Sequence, residues 1–587
     1  MATPVAPGFF SSDKDDGLIP TRLERPEITL ETESDVKDVK GLGGAASASL
    51  EHLEHLKVSD DQLVGSLNWA SLSLYEKKSV LINREMDAMN EGCFWHLGRY
   101  QWCIFFLCGF GYFLDLCWAQ IFGLVSGQLQ QELDVPDNRI GDLSTCFSAG
   151  MTVGAFFWGL AVDIIGRRWA FNLSCLIASV FGLIFAAPSN YAALCFFAFC
   201  IGLGVGGNIP IDATICLEFL PTRRRFLLCA LSTFQPLGVV SACLISWGTV
   251  PRWACDTSLP ACGDGVEPCC TRASNMGWRY ALLIIGFMTL AIFFLRFAVF
   301  TFHESPKFLL AKGNDAKALE VLYRIAKFNK APQPNLTIDD FKLMDQHYAS
   351  EASQTSDEPL QGGQHVMTKG ELTKSRVKQF VGAFKHLKIL FSNKRRIWLT
   401  TSLWIAYMSL FFAFSIAGGY LPLILRQKGI DLSKTLNETY RNYVIIYLPG
   451  VTATILGAFL MELPGLGRKW SMVAAAALMG TSLFLFATIE SLWAYTGMDL
   501  LRYWAQSLYA ALLYGITPEY FDSRVRGSGS GMASTLGRLS STVAPVAAGT
   551  IFNPRSNSVL YMAGGAAFVS MLAISTLPYD TRGKHTF

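Results

Sequence analysis

Gly159-Leu-Ala-Val-Asp163-Ile-Ile-Gly166-Arg167-Arg168-Trp169 lies between two long apolar runs. A run of about 20 apolar residues crosses a bilayer as a helix. A short turn carrying Asp163, Arg167 and Arg168 is costly in hydrocarbon, so it reads as a tight loop at a membrane face. Its arginines assign that face to the cytoplasm. The stretch has an echo. Gly467-Arg468-Lys469-Trp470 follows another apolar run, and residue 467 stands 301 positions after residue 166. Glu218-Phe-Leu-Pro-Thr-Arg223-Arg224-Arg225 matches Glu519-Tyr-Phe-Asp-Ser-Arg524-Val-Arg526 at the same spacing of 301. Two motifs at one ungapped spacing predict two parallel copies of one membrane unit.

Composition agrees. Only 16% of the 587 residues are charged, against about a quarter in soluble proteins, and the mean hydropathy is +0.32. The chain reads as an all-α, polytopic membrane protein. A net charge of +3 gives no reason to expect nucleic acid as a partner. No GxxxxGK[ST] phosphate loop is present, so no nucleotide-driven pump and no cofactor is expected. The eight histidines avoid the apolar interiors, so no intramembrane metal site is expected either. The polar start of the chain predicts no cleavable signal.

The pattern divides as follows. Residues 1–97 read as a cytoplasmic tail, largely disordered, with an amphipathic helix over Leu72–Met89 docked on the body. Residues 98–302 read as a first six-helix bundle, with helices near 100–125, 140–162, 170–188, 192–216, 227–250 and 278–302. Residues 303–395 form a cytoplasmic central loop that starts with helix-like segments. Residues 396–577 repeat the bundle, with helices near 397–425, 441–463, 470–489, 491–516, 528–552 and 557–577. Residues 578–587 are a cytoplasmic tail. Arg167, Arg168, Arg223–Arg225, Arg468, Lys469, Arg524 and Arg526 fall on one side, and Glu132, Asp134 and Asp137 on the other. The bias predicts twelve spans with both termini inside.

Asp115 is the strongest chemical candidate. It sits about fifteen residues into the first helix, near mid-membrane at about 1.5 Å per residue. A carboxylate there costs roughly 2.5–3.5 kcal/mol on insertion scales, so it reads as a proton-coupling or substrate-binding acid, against a structural hydrogen bond. Asn208 and Asp212, one turn apart, form a polar stripe on the fourth helix, and Gln235-Pro236 gives the fifth a polar kink. Asp499 and Arg502 share one face of the tenth helix, as an internal ion pair or with Arg502 turned to a cavity. Gln506, Trp404, Tyr407, Tyr503 and Trp504 are candidate lining. Arg296 reads as snorkelling to the inner interface. Asp163, Arg167, Arg168, Glu218, Arg223, Glu462, Arg468, Glu519 and Arg526 read as a cytoplasmic gate rather than a substrate site. Cys255, Cys262, Cys269 and Cys270 share an outer loop, where at least one disulfide is expected and three pairings are open. Asn437-Glu-Thr439 reads as a glycosylation site in an outer loop.

These motifs resemble a known family. Gly159…Asp163…Gly166-Arg167-Arg168 resembles the loop 2–3 signature of the major facilitator superfamily. Glu304-Ser-Pro306-Lys-Phe-Leu309 and Pro578-Tyr-Asp-Thr-Arg-Gly-Lys584 resemble the PESPR and PETKG motifs of its sugar-porter branch. Gly202…Gly206-Gly207-Asn208…Glu218 and Thr517-Pro518-Glu519…Arg526-Gly527 resemble the synaptic-vesicle-glycoprotein-like and organic-ion branch. Tyr75-Glu-Lys-Lys78 and Tyr100-Gln-Trp102 are similar to fungal members. There are departures. Ala198 stands where sugar porters carry an arginine that partners the helix 1 Asp, and Pro464 stands where a second Asp163 would fall, with the acid at Glu462.

The resemblance implies twelve transmembrane helices in two pseudo-symmetric halves, working by alternating access with a midplane site. It implies no enzyme. The expected function is secondary transport of a small polar organic solute, a sugar-like compound or an organic acid, driven by protons through Asp115. The rival readings are a metabolite or drug exporter and a non-transporting nutrient sensor. A monomer in the plasma membrane, rather than the vacuolar one, is expected.

Overall fold

The turn at Gly166 has a backbone conformation that glycine alone adopts freely: φ is 102°, and its counterpart Gly467 has φ 64°. Both open the helix that follows, so the repeat read in the sequence is present in the backbone. These positions belong to a computed structural model that describes residues 69–90, 97–136, 139, 141–221, 224–256, 259–260, 262, 268–298, 303–355, 390–427, 435–463, 467–486, 492–521, 525–551 and 557–578. Arg223, Arg524 and Pro464 lie outside the described residues.

Helix α1 spans Leu74–Ala88. The first half contains α2 (Arg99–Leu133), α3 (Asp142–Ile165), α4 (Arg167–Ile184), α5 (Tyr191–Val205) continued by α6 (Asn208–Phe219), α7 (Phe226–Leu231) continued by α8 (Phe234–Thr249), and α9 (Gly277–Ala298). Three short helices follow: α10 (Pro306–Ala311), α11 (Asp315–Asn329) and α12 (Ile338–Thr355). The second half contains α13 (Lys394–Gln427), α14 (Leu436–Tyr447) continued by α15 (Gly450–Leu460), α16 (Gly467–Phe486), α17 (Leu492–Tyr520), α18 (Arg526–Ile551) and α19 (Ser558–Ser575). Paired segments counted together, these make twelve spans.

Among the described residues, nine of the twelve are long and apolar enough to cross a membrane by length and composition. The other three are the polar ones. Helix α4 opens on Arg167-Arg168, α17 carries Asp499, Arg502 and Glu519, and α18 carries Arg526 and Arg538. Helices α2 and α8 pack together, as do α3 and α5, α13 and α18, and α16 and α19. The halves meet through α3 on α18, α8 on α14, and α7 on α15 and α17.

The amphipathic helix foreseen near residues 72–89 is α1. Its start is fixed by a capping box, with Ser73 and Glu76 each satisfying the other's backbone N–H. It buries Val80, Leu81, Ile82 and Met86 and docks on α10 and α12. Lys78, almost fully buried, bridges Asp315 at 2.5 Å and Asp345 at 2.6 Å. Glu85 accepts from the Asn335 N–H at 3.0 Å. Replacing Lys78 by Gln leaves two carboxylates facing each other, Asp345 being half exposed and so partly screened. The loss of α1 docking is expected to cost about 1–3 kcal/mol. Hydrogen exchange checks this: α1 amides should exchange faster while α2 amides are unchanged.

At the opposite end, Arg279 holds Glu132 through two bonds of 2.9 and 2.7 Å, and Trp278 and Asn275 donate to the same carboxylate. Two disulfides join Cys255 to Cys270 and Cys262 to Cys269, which resolves the three pairings. Asn437 departs from expectation. Thr435 caps α14 by accepting from Glu438 N–H, so the helix starts earlier than the apolar pattern suggests. Asn437 therefore stands on the first helical turn, bonded to Trp247, rather than in a loop.

Candidate functional site

Eight helices, α2, α3, α8, α13, α14, α15, α17 and α18, line a cavity of about 700 Å³ between the two halves. It lies in the part of the bundle away from the Asp163 loop. Of the residues foreseen, Asp115, Gln235, Asp499, Arg502, Tyr503 and Gln506 line it. Each of the five polar side chains is at least nine-tenths buried. Trp404, Tyr407 and Trp504 are not part of the lining. Trp404 packs edge-on against Phe391, Tyr407 against Tyr514, and Trp504 donates to Thr452.

Asp115 has a partner that the sequence reading missed. Arg538 of α18 directs Nη2 at both carboxylate oxygens of Asp115, at 3.2 and 3.4 Å. Arg538 is 5% exposed, and its guanidinium lies over the Phe411 ring. The pair joins the first half to the second across the cavity. The signal was available: Arg538 is a lone cation in the middle of a stretch of helix length. The second charged pair is local. Arg502 donates to Asp499 at 2.7 Å and to Gln506 Oε1 at 3.1 Å. Arg502 is thus ion-paired and also lines the cavity. Tyr443, Tyr447, Tyr503 and Phe411 supply aromatic walls.

Asn208 and Asp212 do not reach the cavity. The chain breaks between α5 and α6 at Gly206-Gly207, and both side chains turn into the first half. Asn208 accepts from Ser174 at 3.1 Å, and Asp212 is fully buried. Arg296 does not snorkel. It is 2% exposed, its guanidinium lies 3.6 Å from the Phe171 ring centroid, and it donates to the Phe171 carbonyl. An aromatic face and a carbonyl inside the bundle replace the water it would otherwise seek.

The charged residues of the Asp163 loop form one network. Arg167 clamps Glu218 through Nε at 3.2 Å and Nη2 at 3.0 Å, and reaches Asp163 at 3.5 Å. The other half answers. Arg526 approaches Glu218 at 3.5 Å, and the N–H and hydroxyl of Ser528 both donate to Asp163 at 2.7 Å. In the second copy, Arg468 pairs with Glu519 and, at 3.2 Å, with Glu462. Arg225 of the first half faces Glu519. Each half thus offers its acid to an arginine of the other. Arg168 differs: its side chain is exposed, and its backbone N–H donates to Glu304.

Glu304 accepts from the N–H groups of Arg167 and Arg168, at the positive end of α4. Burial pushes its carboxyl up, although Arg167 and the N–H groups pull it down. Burial also holds the Lys307 ammonium well below its usual range, with Arg526 and Arg225 adding to the effect. Beneath the network, Gly159 of α3 and Gly531 of α18 touch. A Cβ on Gly531 would stand 2.6 Å from the Gly159 Cα.

The described structure thus has a network of paired charges at one end, a polar cavity at the other and two repeated six-helix halves. The family model described as Major Facilitator Superfamily matches residues 102–545. The chain belongs to the major facilitator superfamily. It is 34% identical over 514 residues to the MFS siderochrome iron transporter 1 of Ceriporiopsis subvermispora (strain B), covering 87% of this chain and 92% of the relative. It is 31% identical to the major facilitator-type transporter hxnZ of Emericella nidulans, covering 90% of this chain and 91% of the relative. Among solved structures, the proton:xylose symporter XylE superposes with a TM-score of 0.61 at 15% identity, covering 83% of this chain and 97% of XylE. This superfamily member is therefore a multi-pass membrane transporter of small molecules.

Proposed function

We propose that this transporter moves an organic anion together with a proton, and that the Asp115–Arg538 pair couples the two. The observation that carries the reading is Arg538 facing both oxygens of Asp115 from the opposite half, inside the cavity. While Asp115 is ionised it occupies the guanidinium. A proton on Asp115 releases Arg538, which then takes the carboxylate of a solute. One proton and one anion enter together, and neither charge is left unpaired in a low-dielectric site. Arg502, Gln506 and Gln235 supply further polar contacts, and the tyrosines provide apolar walls for a ring or chain. A volume near 700 Å³ is that of a pocket for a drug-sized solute and leaves room beyond a single sugar ring.

On this reading the engaged latch is cytoplasmic, both termini are cytoplasmic, and the state captured is closed to the cytoplasm. The unit is a monomer of the plasma membrane. A second reading, a ferric siderochrome complex as substrate, draws on the relative of that name and on the size of the cavity.

Proteoliposomes test the reading. A panel of aromatic and aliphatic carboxylates, sugars, carnitine and a ferric hydroxamate is added to wild type and Asp115→Asn, with internal pH recorded. The expected result is carboxylate-driven proton uptake that Asp115→Asn abolishes. A sugar or the chelate moving without protons, equally in both proteins, would remove Asp115 from the mechanism.

A further inference from the structure

Asp212 and Arg296 are opposite charges buried side by side and not in contact. Asp212 is 0% exposed and Arg296 2%. Among the described residues, neither carboxylate oxygen of Asp212 has a hydrogen-bond partner, and Nε and Nη2 of Arg296 have none. The two groups are neighbours all the same. A Cβ built on Gly111 would stand 1.6 Å from Asp212 Oδ2 and 3.2 Å from Arg296 Nη2. The missing side chain of Gly111 is the space the carboxylate occupies. An ionised carboxylate left unpaired in such a place is costly, and the cost disappears if it carries a proton or moves onto the guanidinium. The arrangement in hand is the one a neutral carboxyl adopts.

The groups facing Asp212 come from several helices. They are Cys108, Tyr112 and Asp115 on α2, Cys175 on α4, Arg296 on α9 and Cys216 on its own helix. Tyr112 matters most. Among the described residues its hydroxyl is buried without a partner, and it lies within electrostatic range of Asp212 and of Tyr407 and Tyr514 of the second half. Tyr514 in turn faces Asp115 and Arg538. A file of ionisable groups therefore runs from the cavity pair to Asp212, which lies farther along toward the latch.

We infer that Asp212, with Arg296 as its counter-ion, is a second proton-binding site, reached from Asp115 past Tyr112 and separate from the solute cavity. Protonated, Asp212 stands off as seen here. Deprotonated, it closes onto Arg296, so no lone charge remains. The proton leaves one carboxyl as the other gains it, and the Tyr112 hydroxyl receives and donates in turn. Its role as a relay rests on the proton-coupled reading above; the site itself does not.

The test needs no solute, so a failure of the vesicle assay leaves it standing. Purified full-length protein is titrated with infrared detection of the protonated-carboxyl stretch. Wild type is expected to show a buried carboxyl band that bleaches as pH rises, and Asp212→Asn to lack it. Arg296→Gln removes the counter-ion and should move the midpoint up by about one pH unit or more, a tenfold change in proton affinity. Arg296→Lys should restore it. If Asp212→Asn elutes as an aggregate, Gly111→Ala carries the test, because its Cβ displaces Oδ2 while both charges remain, and the midpoint must shift. A band that survives Asp212→Asn in folded protein, or that ignores both Arg296→Gln and Gly111→Ala, overturns the assignment.

Discussion

Gly531→Trp is expected to abolish transport while leaving the protein folded and able to bind solute. The reason is the crossing of α3 and α18. Gly159 and Gly531 are in backbone contact beneath the latch, so even one added carbon meets the opposing main chain. An indole has nowhere to go unless the two helices part. Inverting a 99:1 preference between two states takes about 5.5 kcal/mol, and an indole pushed into backbone is expected to exceed that. The latch end should then stay open, with Asp163 separated from Ser528 and Glu218 from Arg526. Hydrogen exchange over residues 155–163 and 526–534 should rise from strong protection to near loop-like rates, and uptake into proteoliposomes should fall to background. Gly531→Ala should do part of this, at a cost of about 1–3 kcal/mol. Unchanged protection in Gly531→Trp would mean that this crossing does not set the closed state.

The second large effect concerns Arg538. Arg538→Gln strands Asp115 without its partner. Breaking a buried pair by removing one member costs about 3–5 kcal/mol. A drop in thermal stability is expected, with a loss of carboxylate uptake of about a hundredfold or more. The double variant Asp115→Asn/Arg538→Gln removes both charges and should recover most of the stability. It should recover none of the uptake, because nothing remains to receive the anion or the proton. The measurement is a double-mutant cycle in two readouts, strongly coupled for stability and not rescued for flux. Full uptake by Arg538→Gln would end its assignment as the anion-binding group.

Much of this architecture was legible because it is local. Apolar runs of the right length gave the spans, the 301-residue spacing gave the two halves, and Asp163, Arg167, Glu218 and their counterparts marked the charged network between them. What stayed hidden was rotation about helix axes and contact between distant segments. Asn208 and Asp212 read as a stripe, and periodicity alone does not say which neighbour a stripe faces. The break at Gly206-Gly207 turns them into the first half, away from the solute cavity. Arg296 near a helix end invites an interfacial placement, yet the ring and carbonyl of Phe171 hold it inside. The start of α14 was set by a Thr435 cap rather than by hydropathy, which moved Asn437 onto a helix. Arg538 stands in a stretch rich in Gly and Ser, where length marks a span but no periodicity marks a face.

The polarity of α4, α17 and α18 has a consequence for biogenesis. A segment that is marginal by composition is poorly retained in the bilayer as it leaves the ribosome, and its charges must find partners already in place. For α18 that partner is Asp115, 423 residues earlier in the chain. The C-terminal half made as a separate polypeptide would carry an orphan guanidinium in the fifth of its six spans. Co-expression with the N-terminal half should rescue its accumulation, and should do so less well when that half carries Asp115→Asn.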